Sequence, residues 1–187
     1  KALKLTVTEK TLQTGKQDDL FLEVAVDSDQ PYQQSQVIYT VKLYRRVELT
    51  QASLNEPELN DAVIERLGED VSYNTQIKGV DYLVTERKYA IFPQQPGIVV
   101  IPPLKLNAEV LSAGSGRQGF WGQAVTETRR IVSKALQLTV KPIPEAFKNQ
   151  NWLSAETLQL SEQWSDKTLE IKVGEPLTRT ITLTAKG

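Results

Sequence analysis

Val37-Ile-Tyr-Thr-Val-Lys-Leu-Tyr-Arg45 sets Val37, Tyr39, Val41 and Leu43 on one side of an extended chain and Ile38, Thr40, Lys42 and Tyr44 on the other. A period of two, carried by β-branched and aromatic residues, is the signature of a strand with one face in a core. Upstream, Leu20, Leu22, Val24 and Val26 alternate in the same way with Phe21, Glu23 and Ala25. Working outward, strands are expected at about 3–8, 70–77, 80–92, 97–101, 104–111 and 124–140, and more weakly at 157–160, 168–173 and 178–184. Turn signals separate them: Thr14-Gly15, Asp27-Ser-Asp-Gln-Pro31, Lys78-Gly79 and Gln94-Gln-Pro-Gly97. Pro96 pre-sets φ for the second turn position, and Gly97 can take the positive φ that a type II turn then requires. Short strands at this spacing with no helical crossover predict an antiparallel all-β sandwich.

Two stretches depart from the simple pattern. Glu58 to Gly68 places Leu59, Val63 and Leu67 at helical spacing, but Val63/Leu67 against Ile64 fits a short strand, which is the reading preferred here. Within 80–92, Tyr82 and Val84 occupy even positions whereas Tyr89 and Ile91 occupy odd ones. One extra residue would exchange the faces, so a β-bulge or a sheet-switching bend is expected near Glu86–Lys88.

The 187 residues carry 22 basic and 23 acidic side chains, a formal net charge of −1, with 40% hydrophobic and 24% charged residues. This is the composition of a globular chain, and it lacks the basic excess that a nucleic-acid surface needs. There is no His and no Cys. That removes Ser-His-Asp and Cys-His nucleophiles, imidazole bases and every zinc site built on Cys or His. No apolar run reaches the roughly 18 residues of a membrane span. The opening Lys-Ala-Leu-Lys without Met, and the close at Thr-Ala-Lys-Gly, are expected of a piece of a longer protein.

A boundary is expected at Lys141-Pro-Ile-Pro-Glu-Ala-Phe-Lys-Asn-Gln150, because two prolines one residue apart cannot donate to a ladder and favour extended backbone. The expected organisation is one sandwich over 1–140, a Pro-containing linker over 141–150, and the first strands of a second sandwich over 151–187. Three strands cannot close a sandwich alone.

Val37-Ile-Tyr-Thr-Val-Lys-Leu-Tyr-Arg45, Glu86-Arg-Lys-Tyr-Ala-Ile-Phe-Pro-Gln-Gln-Pro-Gly97 and Ile101-Pro-Pro103 together resemble the central periplasmic region of the aerotolerance (oxygen tolerance) protein BatD family. Asn151-Trp-Leu-Ser-Ala155 with Val173-Gly-Glu-Pro-Leu-Thr-Arg-Thr180 is similar to the start of that family's next domain. The resemblance runs from about Leu20 to the end, in the expected order. It implies Ig-like β-sandwich domains on the periplasmic side of the inner membrane, anchored by a helix outside these residues. It also implies a gene neighbourhood of membrane proteins with von Willebrand A domains and a MoxR-type ATPase. The family carries no established active site, so no catalytic residue and no cofactor is implied.

Several motifs compete with simpler readings. Gly114-Ser-Gly-Arg-Gln-Gly119 matches G-x-G-x-x-G, but Phe120-Trp-Gly122 opens no helix and no βαβ unit follows, so a connecting loop is expected. In that loop Arg117, Phe120 and Trp121 form a candidate interaction site, since Trp and Arg favour interface hot spots. The competing reading folds the rings over the sandwich edge. Asp27-Ser-Asp29 and Asp18-Asp19 lack the calcium-loop pattern and read as Asx turns. Glu56-Pro-Glu-Leu-Asn-Asp61 and Glu69-Asp70 read as exposed acidic turns, any of which could complete a divalent metal held by a von Willebrand A partner. No carboxylate pair is accompanied by sugar-stacking aromatics, because Trp121, Trp152 and Trp164 are scattered. Together with these readings, the resemblance implies a non-catalytic protein-binding module of the bacterial envelope, with a carbohydrate- or cell-wall-binding module as the alternative and a purely structural spacer as a third reading.

Overall fold

The computed structural model describes residues 18–111, 126–148, 150, 152–155, 157–165 and 173–186. Among these residues twelve strands follow in order: β1 Leu20–Val26, β2 Val37–Arg45, β3 Leu49–Leu54, β4 Ala62–Arg66, β5 Val71–Ile77, β6 Val80–Pro93, β7 Gly97–Ile101, β8 Lys105–Leu111, β9 Thr126–Val132, β10 Leu136–Val140, β11 Thr157–Trp164 and β12 Arg179–Lys186. Every ladder is antiparallel. Among the described residues the regular helix is a single 3-10 turn at Glu145–Phe147, and no helix is long and apolar enough to cross a membrane. The fold is all-β and sandwich-like.

One layer is the sheet β1-β2-β6, whose far edge is shared by β5 on the first half of β6 and β4 on the second. The facing layer consists of β3-β8-β9 and β7-β10. Its two ladders belong to one ribbon: Ile101 lies opposite Leu136 and Lys105 opposite Val132, in one continuous register. Pro102 and Pro103 lack the N–H a ladder needs, and the ribbon opens where they stand. Ser133 bridges the gap. Its backbone N–H donates to the Leu104 carbonyl at 2.9 Å, and its Oγ accepts the Leu104 N–H at 2.8 Å. It is 7% exposed, and this pairing explains how a buried hydroxyl is tolerated.

Between the layers, Val37, Tyr39, Val41, Tyr89 and Ile91 meet Ile101, Leu104, Leu138 and Val140, and Leu20 packs on Leu106, Ala108 and Val110. A separate cluster of Tyr44, Tyr82 and Val84 forms on the other face of the first sheet, with Phe21 against it. Burial pushes the Tyr39 phenol up to about 12. The hydroxyls of Tyr39 and Tyr89 are buried without a hydrogen-bond partner among the described residues.

This second cluster corrects the expectation of a bulge in β6. Pairing with β2 is unbroken from Val37–Ile91 to Arg45–Leu83. The apolar positions change parity because β6 serves two cores, Tyr82 and Val84 on the outer face and Tyr89 and Ile91 on the inner. A register shift occurs instead in β3, between Leu49 and Gln51. The segment 58–68 contains strand β4, not a helix. Lys78 and Gly79 take φ of 51° and 80°, the two positive values of a type I′ hairpin between Ile77 and Val80. The expected strand at 3–8, and 168–172 of another, lie outside the described residues.

Beyond β10 the chain stays in contact with the first sandwich. Tyr32 bridges Lys141, the Trp152 indole N–H donates to the Gln33 carbonyl at 3.0 Å, and the Trp152 ring meets Tyr32 and Phe147 at 5.9 and 5.3 Å. Strands β11 and β12 then form a hairpin with Leu158, Leu160, Leu183 and Ile181 on one exposed face.

Candidate functional site

A groove of about 520 Å³ lies between the inner face of β2–β6 and strand β3. Its floor is apolar, with Val41 and Leu43 from β2 and Leu106 from β8. All six residues of β3 line one wall. The opposite wall is Thr85 and Arg87 of β6 with Asp70, which precedes β5. Inner-face positions descend β2 in steps of two: Val41 lies opposite Arg87, Leu43 opposite Thr85, and Arg45 one step farther. Arg45 therefore stands at the end remote from Arg87, four residues or about 13 Å along the strand.

The two ends differ electrostatically. Arg87 holds Asp70 in a two-pronged clasp, Nε to Oδ1 at 2.8 Å and Nη2 to Oδ2 at 2.7 Å, while Arg66 adds a bond to Oδ1 at 2.9 Å. The Arg87 guanidinium, with Arg66 beside it, holds the Asp70 carboxyl below the usual carboxylate range, and the Arg87 pKa is raised in return. Arg45 lines the same groove and makes no ion pair among the described residues.

The outer face of the first sheet presents a second constellation. Phe21 stacks on Tyr44 at 4.6 Å, and Tyr82 meets both rings edge-on. The hydroxyl of Tyr44 donates to Glu23 at 2.8 Å, and that of Tyr82 to the Asp18 carbonyl at 3.0 Å. Burial first, then the Glu23 carboxylate, raises the Tyr44 phenol. Beside the rings, Glu86 accepts from Tyr73 and pairs with Lys42 and Lys88. Burial alone would raise the Glu86 carboxyl, but Lys88, Tyr73 and Lys42 outweigh it and hold it low. Tyr73, 37% exposed, is the ring of this patch that reaches solvent most, since Tyr44 and Tyr82 are buried.

A third feature is the open side of β7. Among the described residues this strand pairs with β10 alone, and Ile98 and Val100 are 70% and 53% exposed.

The residues singled out as an interaction site, Arg117, Phe120 and Trp121, lie outside the described residues, as does Gly114–Gly119. Asp27 closes its turn by accepting the Ile38 N–H at 2.9 Å. Asp70 is not a free acidic turn, being committed to Arg87 and Arg66. Among the described residues no group of three or more acidic side chains is gathered as a metal would need. Sequence reasoning missed β3, Arg45 and the Asp70–Arg87 clasp. A signal for the clasp existed: the two-residue turn Lys78-Gly79 fixes the hairpin register, and counting back from it sets Asp70 opposite Arg87.

Scans against family models, curated proteins and solved structures each return no match to this chain.

Proposed function

We propose that the chain is a non-catalytic protein-interaction module of a BatD-like periplasmic protein, anchored to the inner membrane through a segment outside these residues. Its partners are membrane proteins with von Willebrand A domains, in a system serving oxygen tolerance and envelope stress. The family, the compartment and the partner class rest on the sequence resemblance. The docking role rests on one structural observation: among the described residues, strand edges stand unpaired beside exposed apolar side chains, most plainly β7 with Ile98 and Val100. Such an edge is a template for pairing with another chain.

The carbohydrate-binding alternative needs flat, exposed rings in a row. The aromatic patch of the first sheet weighs against it, because Tyr44 and Tyr82 are consumed by packing on Phe21 and on each other.

A photo-crosslinking residue at Ile98 of the full-length protein in its native membrane tests the reading, with Lys78 in the β5–β6 turn as control. Identification of the adducts by mass spectrometry should return a von Willebrand A protein from Ile98 and not from Lys78. No protein adduct at Ile98, or identical adducts from both positions, would contradict it.

A further inference from the structure

We propose that the groove between β3 and the inner face of β2–β6 receives an extended segment of a partner protein, added as a strand to β3 and carrying an Asp or Glu against Arg45. The inference deepens the docking role proposed above and rests on it.

The backbone of β3 supplies the first argument. Among the described residues β3 pairs with β8 alone, so its other edge is open. The Asn55 N–H donates to the Lys105 carbonyl at 3.2 Å. Alternation along an antiparallel ladder then turns the groups of Ser53 and Gln51 towards β8 and those of Ala52 and Leu54 away from it, into the open edge. The side chains supply the second. An added strand would rest alternate residues on the apolar floor of the groove, where Leu43 is half-buried and Val41 and Leu106 are already buried. Charge supplies the third. At one end Arg87 is already neutralised by Asp70, whereas at the other Arg45 has no acidic partner among the described residues. A guanidinium on a groove wall, next to apolar surface, favours a carboxylate that can meet it in a forked, charge-assisted contact. The occupant is thus a strand with apolar residues at every second position and an acid towards one end.

The test is selection of displayed peptides of about eight residues, a length that covers the six of β3 with one to spare at each end, against the full chain. The expected outcome is enrichment of alternating apolar sequences containing Asp or Glu, with slowed amide exchange at Leu49–Leu54 on adding the synthetic peptide. Arg45→Glu should weaken that peptide about ten-fold, and replacing the peptide's acid by Lys should recover the loss. Ala52→Pro removes an outward N–H without touching a β8 bond, and should abolish binding while the melting temperature holds. Failure to enrich such peptides, or undiminished binding to the folded Ala52→Pro chain, would overturn the groove as the site. If the full-length Ala52→Pro protein still crosslinks its partner from Ile98, the groove proposal fails and the docking role stands. If wild type crosslinks no partner from Ile98, the docking role fails first.

Discussion

Arg87 faces Asp70 across the open end of the β5–β6 hairpin and grips both carboxylate oxygens, at 2.8 and 2.7 Å. The pair ties the segment leading into β5 to the strand that carries both cores, and it closes one end of the groove. Their side chains are 23% and 28% exposed, so solvent screens the pair less than a surface ion pair.

The linkage follows from the lowered Asp70 pKa. A carboxyl whose folded pKa lies below its unfolded value stabilises the fold at neutral pH and loses that contribution as pH falls from about 4 through the lowered value. Asp70→Asn should therefore cost about 1–3 kcal/mol at neutral pH and progressively less in acid. Urea midpoints of the two proteins should converge as the pH falls. A gap that stays constant with pH would contradict this.

Ser133→Ala removes the acceptor of the Leu104 N–H at the point where Pro102 and Pro103 already break the ladder. A buried donor left unsatisfied costs about 1–3 kcal/mol. Ser133→Thr, which keeps the hydroxyl, should recover part of the loss. Chemical denaturation measures both, and equal stability of Ser133→Ala and wild type would contradict the bridging role.

Tyr89 and Tyr82 should respond oppositely to loss of the hydroxyl. Tyr89→Phe deletes a buried hydroxyl that makes no hydrogen bond among the described residues and should be neutral or stabilising. Tyr82→Phe deletes the donor to the Asp18 carbonyl and should cost about 0.5–1.5 kcal/mol. A larger loss for Tyr89→Phe than for Tyr82→Phe in thermal unfolding would reverse the assignment.

Trp152 holds the segment after β10 against Gln33, Tyr32 and Phe147. Trp152→Ala should speed tryptic cleavage after Lys148, an exposed residue at the end of the 3-10 turn, while the cleavage rate elsewhere stays the same. Unchanged cleavage after Lys148 would show that the ring contacts do not restrain the segment.

The strands that the sequence displays most clearly are β1 and β2, whose apolar residues keep one parity facing the core between the layers, and the turns at Lys78-Gly79 and before Gly97 use residues that take positive φ. Strand β6 misled because alternation reports burial and not the identity of the face, and this strand is buried on different faces along its length. Strand β3 escaped notice because Thr50, Gln51, Ala52 and Ser53 are exposed and carry no hydrophobic signal. For the same reason the groove was invisible: an open edge is defined by what fails to pair with it. Arg45 reads as an ordinary charged strand terminus until the pairing of β2 with β6 sets it beside Leu43 on the inner face.

Amide hydrogen exchange of the full chain, alone and bound to the partner identified by crosslinking, tests the docking account most directly. The account predicts new protection at the open edges, in Leu49–Leu54 and Gly97–Ile101, with the already paired amides of β2 unchanged. Protection confined to other surfaces, or none at all in a demonstrated complex, would contradict it.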